Sequence, residues 1–237
     1  MNVRRLRSLI ASLKEGQTSL LWNVARELAL MGSDAKEAIP ALSALLTHED
    51  PNSRLWAKFA LTKITGETSA TLPYFLAALR DNKMYYPGMV STAVAGFGEE
   101  AVAALPLLIE LLGDAEADNR WSSAWAIGAM GDAGKEAVPA LMTALRDPDE
   151  KTRWYSAYAL SEMSGDTISL AVDALIFAVE HDFDEDVRGY ATRALGKSGE
   201  ARAVSALLSL KEEQKEKQND LLRIEAETAL KRISSKI

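Results

Sequence analysis

Three features of this 237-residue sequence predict an all-α fold of about seven stacked helix pairs. They are a 33-residue internal repeat, two amphipathic segments in each repeat, and glycine punctuation between repeats. Prolines set the register. Pro40, Pro73, Pro106 and Pro139 stand 33 residues apart in matching contexts, AIPALSALL, TLPYFLAAL, ALPLLIELL and AVPALMTAL. The frame extends back to Arg7 and forward to Asp173 and Ser205. One register position is apolar in every repeat: Leu9, Leu42, Phe75, Leu108, Leu141, Leu175 and Leu207. Proline near the start of this first helix is tolerated, because the first N–H groups of a helix lack intrahelical partners.

A second register begins 14 residues later. Arg54, Arg120 and Arg153 share it, each after a polar, acid-containing turn; Arg188 and Arg223 continue it after small insertions, and Leu21 and Pro87 replace Arg in repeats one and three. Offset +3 from this point reads Val24, Ala57, Val90, Ser123, Ser156, Ala191, Ala226. Offset +7 reads Leu28, Leu61, Val94, Ile127, Leu160, Leu195, Leu230, and offset +6 is Ala in all repeats but the first. At about 100° per residue these offsets fall on one side, so the segment is an amphipathic helix with small residues where helices must approach. Gly32, Gly66, Gly98, Gly131, Gly165 and Gly199 separate the pairs. The expected organisation is one array over 1–237, with repeats at about 1–32, 33–65, 66–98, 99–131, 132–165, 166–198 and 199–237.

Proline early in the first helix, then an acidic turn and Arg opening the second, resembles a HEAT repeat across essentially the whole chain. The short period is similar to the subgroup named after phycobilisome lyases. The ankyrin and tetratricopeptide signatures are absent. The resemblance implies a right-handed α-α superhelix with the second helices along a concave inner wall. It also implies a structural ladder of polar contacts in which Arg54, Arg120, Arg153, Arg188 and Arg223 meet Asp50, Asp118, Asp149, Asp184 or Asp186, and Asp220.

On that wall, offsets +1, +2 and +5 point away from the helix-pair core and should carry solvated polar residues. Instead they hold all five tryptophans, Trp22, Trp56, Trp121, Trp125 and Trp154, together with Phe59, Tyr155, Tyr158 and Tyr190. Two ledges are expected, one from Trp121, Trp125, Trp154 and Tyr158, the other from Trp22, Trp56 and Phe59. In repeat three, DNKMYYPGMVST places Pro87 at the Arg position and Gly88, Met89 and Thr92 at the wall offsets. This predicts a notch roofed by Tyr85 and Tyr86. Contiguous exposed apolar surface marks binding sites, and Trp and Tyr dominate interface energetics.

Composition narrows the functions. Lys+Arg 27 against Asp+Glu 34 gives −7, which disfavours a phosphate backbone as partner, although Arg4, Arg5, Arg7, Arg26, Lys58 and Lys63 cluster toward the N-terminal repeats. With no Cys, disulfides and thiolate metal sites are excluded, and a reducing, cytoplasmic setting is expected. No apolar run is long enough to span a membrane. His48 and His181 are the only histidines, four repeats apart, so no metal site is expected, and no phosphate-binding or nucleophile motif occurs. The expected function is a non-catalytic scaffold, without cofactor, that binds a protein or peptide in an aromatic groove. The lyase resemblance implies an alternative, handling of a bilin chromophore; nucleic-acid binding is the third reading.

Overall fold

The computed structural model describes residues 3–16, 21–80, 87–216 and 220–235. Fourteen α-helices and no strand occur among the described residues. Contacts divide the chain into two compact units, Met1–Glu100 and Ala101–Ile237. The first unit holds α1 (Val3–Glu15), α2 (Leu21–Met31), α3 (Ile39–Leu45), α4 (Pro51–Thr65), α5 (Thr68–Arg80) and α6 (Pro87–Ala95). In the second are α7 (Leu105–Leu111), α8 (Ala117–Ala129), α9 (Val138–Ala144), α10 (Glu150–Glu162), α11 (Val172–His181), α12 (Glu185–Ser198), α13 (Val204–Glu216) and α14 (Asp220–Ser234).

Local chemistry sets the ends of these helices. Asp50 caps α4 by accepting from the Asn52 and Ser53 N–H groups at 3.2 and 2.8 Å. Asp149 and Asp184 cap α10 and α12 in the same way, through the N–H of Thr152 and Val187. Gly66 and Gly199 close α4 and α12 at φ 81° and 72°, a left-handed conformation that a Cβ would strain. Pro40, Pro106 and Pro139 lie in the first turns of α3, α7 and α9, each preceded by a 3-10 segment (Gly32–Ala38, Gly98–Ala104, Gly131–Ala137). Pro73 departs from this pattern. Helix α5 starts at Thr68, so Pro73 lies within it.

Within each unit the second helices of successive pairs pack side by side: α2 on α4 in the first, α8 on α10, α10 on α12 and α12 on α14 in the second. Each also packs against the first helix of its own pair. The register residues Leu9, Leu42, Phe75, Leu108, Leu141, Leu175 and Leu207 are all buried. Each contributes about 1.5–3 kcal/mol by leaving water. Small residues permit the close approach. A Cβ on Gly128 would lie 2.9 Å from the Tyr158 ring and 3.0 Å from the Ala159 Cα; one on Gly196 would lie 2.7 Å from the Ala229 Cα. No helix among the described residues is long and apolar enough to cross a membrane.

Candidate functional site: an aromatic wall on α8, α10 and α12

Helices α8, α10 and α12 bury offsets +3, +6 and +7, which leaves +1, +2 and +5 on the opposite side. Trp121, Trp125, Trp154, Tyr155, Tyr158 and Tyr190 stand there, all part-exposed. Their rings touch in sequence across the three helices. Trp121 stacks on Tyr155 at 5.3 Å and 25°, and Trp125 tilts onto the same ring at 6.4 Å. Tyr155 meets the edge of Trp154 at 4.2 Å; Trp154 then meets Tyr190 at 5.7 Å, and Tyr190 meets Tyr158 at 5.6 Å. Trp121 is oriented by donating Nε1–H to Asp118 at 2.9 Å. The Trp154 Nε1 is enclosed without an acceptor among the described residues, so packing alone holds that ring. Burial pushes the phenols of Tyr155 and Tyr158 above the usual tyrosine range; the Tyr190 phenol reinforces both shifts, and Glu162 and Tyr155 reinforce that of Tyr158.

The expected N-terminal ledge is corrected. Trp56 and Phe59 are 2% and 5% exposed, and they belong to the core of the first unit. Phe59 packs against Trp56, Phe75 and Phe97 with centroids 5.3, 6.3 and 5.1 Å away. Its ring occupies the space over Gly96 that a side chain there would fill. Gly96, at the end of the second helix of repeat three, thus receives a ring from repeat two, while Gly88 and Thr92 of the expected notch are part-exposed. Trp22, on α2, is part-exposed. Tyr85 and Tyr86 lie outside the described residues, as does the side chain of Met89.

The arginine register makes a ladder, with different acids from those expected. Arg120 reaches forward to Asp147, Nε to Oδ2 and Nη2 to Oδ1, both at 2.8 Å, while Nη1 donates to the Asp114 and Ala115 carbonyls of its own turn. Arg153 repeats this with Asp182 and the Asp147 and Pro148 carbonyls. Arg188 pairs with Glu213 and the Val179 carbonyl. Arg54 donates to the His48 and Glu49 carbonyls. The acids of the turns are engaged elsewhere: Asp50, Asp149 and Asp184 as helix caps, Asp118 on Trp121. Only Asp220 pairs with its expected arginine, Arg223, at 2.7 Å. The acids gripped by Arg120, Arg153 and Arg188 lie in the following repeat, 27, 29 and 25 residues on: Asp147 and Asp182 past the end of its first helix, Glu213 within the last turn of α13.

Both histidines serve local structure. His48 Nδ1 accepts the Asp50 N–H, and His181 stacks on Phe177 at 4.4 Å. Among the described residues no group of three His, Asp or Glu side chains is placed to hold a metal ion.

The family described as HEAT repeats matches residues 72–161, 105–176 and 144–231. No curated protein sequence matches the chain. Among solved structures, an engineered protein aligns over 96% of this chain and 68% of its own with 20% identity and a TM-score of 0.61. A designed armadillo repeat protein in complex with the peptide (KR)4 aligns over 96% and 99%, with 17% identity and TM-score 0.60. An archaeal HEAT-like repeats protein from Thermococcus onnurineus NA1 aligns over 95% and 97%, with 17% identity and TM-score 0.56. The helix pairs, their proline and arginine registers and the family match over more than half of the sequence agree: the chain belongs to the HEAT-repeat family.

Proposed function

We propose that this protein is a non-catalytic interaction scaffold whose aromatic wall on α8, α10 and α12 binds an extended peptide or a protein surface. One observation carries the reading: six part-exposed aromatic rings on three consecutive second helices are in mutual contact. Rings already fixed by their neighbours lose little freedom when a partner arrives, so the apolar contact is not offset by a large ordering cost. A designed armadillo repeat protein of similar fold holds a peptide, which is a precedent for the architecture and not for the residues.

The test compares the immobilised full chain with its Trp121→Ala and Trp125→Ala variants in recovering a stoichiometric protein from the source cell. Each variant should retain its helical circular dichroism and recover at least ~10-fold less partner, as expected for an interface anchor. Equal recovery by both variants rejects the wall as the binding surface.

A second reading follows from the near-parallel stack of Trp121 on Tyr155 and from the short repeat period resembling phycobilisome lyases. A flat bilin could lie on such a stack. Purified protein titrated with bilin should then show a visible-absorbance change and quenched tryptophan emission; absence of both removes this reading.

A further inference from the structure

We infer that the occupant of the aromatic wall is a cationic peptide, an extended segment in which Arg or Lys side chains alternate with apolar ones. The inference rests on the scaffold reading above and adds the partner's chemistry.

Charge is the first ground. Residues 1–100 contain 11 Lys+Arg and 10 Asp+Glu, whereas residues 101–237 contain 16 and 24, a formal +1 against −8. The net negative charge of the chain therefore lies in the unit that carries the wall. A field of that sign raises the local concentration of cations and repels acidic peptides and nucleic acids.

The rings supply the second, independent ground. Rings on the first and last of the three helices already carry a cation. Lys151 Nζ lies 5.8 Å from the Trp121 centroid, and the Arg193 guanidinium carbon lies 5.2 Å from the Tyr190 centroid. The wall thus presents its electron-rich faces in an orientation that cations occupy. Other rings in the row remain part-exposed between them.

The third ground is a groove of about 380 Å3 that opens between α12 and α14 and includes Tyr190. Among the described residues its lining carboxylates are Glu185, Asp186 and Glu225, and Arg193 pairs with Glu225 at 3.2 Å. Two apolar side chains, Leu221 and Ile224, line the same groove while 81% and 51% exposed. A guest guanidinium placed against Asp186 gains charge-assisted hydrogen bonds, with Tyr190 alongside as an aromatic face. The apolar neighbours of that guest residue then cover Leu221 and Ile224. Neither an acidic nor a purely apolar segment satisfies both sets of groups.

The experiment uses the full chain and three fluorescein-labelled peptides of about ten residues, alternating Leu with Arg, with Gln or with Glu, read by anisotropy and tryptophan emission. The Arg peptide should bind at least ~10-fold tighter than the Gln peptide at about 0.05 M salt, and lose at least ~5-fold on going to about 0.3 M. The Asp186→Asn variant should weaken the Arg peptide by roughly 3-fold or more and leave the Gln peptide unchanged. Tyr190→Ala should weaken both. A Gln peptide that binds as tightly as the Arg peptide, with no salt dependence, overturns the charge inference and leaves the scaffold reading standing. Failure of all three peptides to bind overturns both.

Discussion

Arg120 makes four hydrogen bonds, two to the Asp147 carboxylate and two to the carbonyls of its own turn. A planar fork of fixed donors can do this; an ammonium on a flexible stem cannot. The pair is largely shielded, with 13% and 11% side-chain exposure, so removing one partner strands the other. Asp147→Ala is expected to lower unfolding free energy by about 2–3 kcal/mol in urea titrations, and Arg120→Lys by about half of that. Asp50 acts through a different balance. Burial pulls its pKa up, but hydrogen bonds from Ser53 and Asn52 outweigh this and hold the carboxyl below the usual aspartate value. Because the folded pKa is depressed, the stabilisation is present above the unfolded value of about 3.9 and disappears as pH falls through the folded one. Asp50→Ala should therefore cost about 1 kcal/mol at neutral pH, with the difference from wild type shrinking in acid.

The stacking of second helices depends on contacts that only small residues allow. Alanine at position 196 has a better helix propensity than glycine by about 1 kcal/mol. Here that gain is overridden, because the new Cβ would stand 2.7 Å from the backbone of Ala229 on α14. Gly196→Ala should lower stability by about 1–3 kcal/mol, read as a fall in melting temperature. If it stabilises the protein instead, the close approach of α12 to α14 is wrong. The same contacts explain which wall residues could be read in advance. On α8, α10 and α12 the aromatic residues at the outward offsets stay part-exposed, as the helical period predicts. On α4 the same offsets are buried, since Gly96 on the neighbouring helix pair leaves room for Phe59. Nothing within the α4 sequence reports that vacancy.

At the scale of the whole chain, the repeat pattern predicts one cooperative array, and this remains part of the proposed organisation. It predicts a single thermal unfolding transition of the full chain, by circular dichroism and by calorimetry; two resolved transitions would make Met1–Glu100 and Ala101–Ile237 independent folding units. The uneven charge belongs to this scale too, since it emerges only as a sum over residues 101–237 and is one ground for the cationic peptide proposed above. Helix positions and core register could be read from the chain because they arise from periods of 3.6 and 33 residues, which are local and recurrent. The acid that each arginine grips, and whether an outward aromatic meets water or a neighbour, depend on residues in the next repeat, such as Asp147 for Arg120 and Gly96 for Phe59. Those outcomes follow from helix-to-helix distances set by packing, and packing exists only once the pairs have stacked.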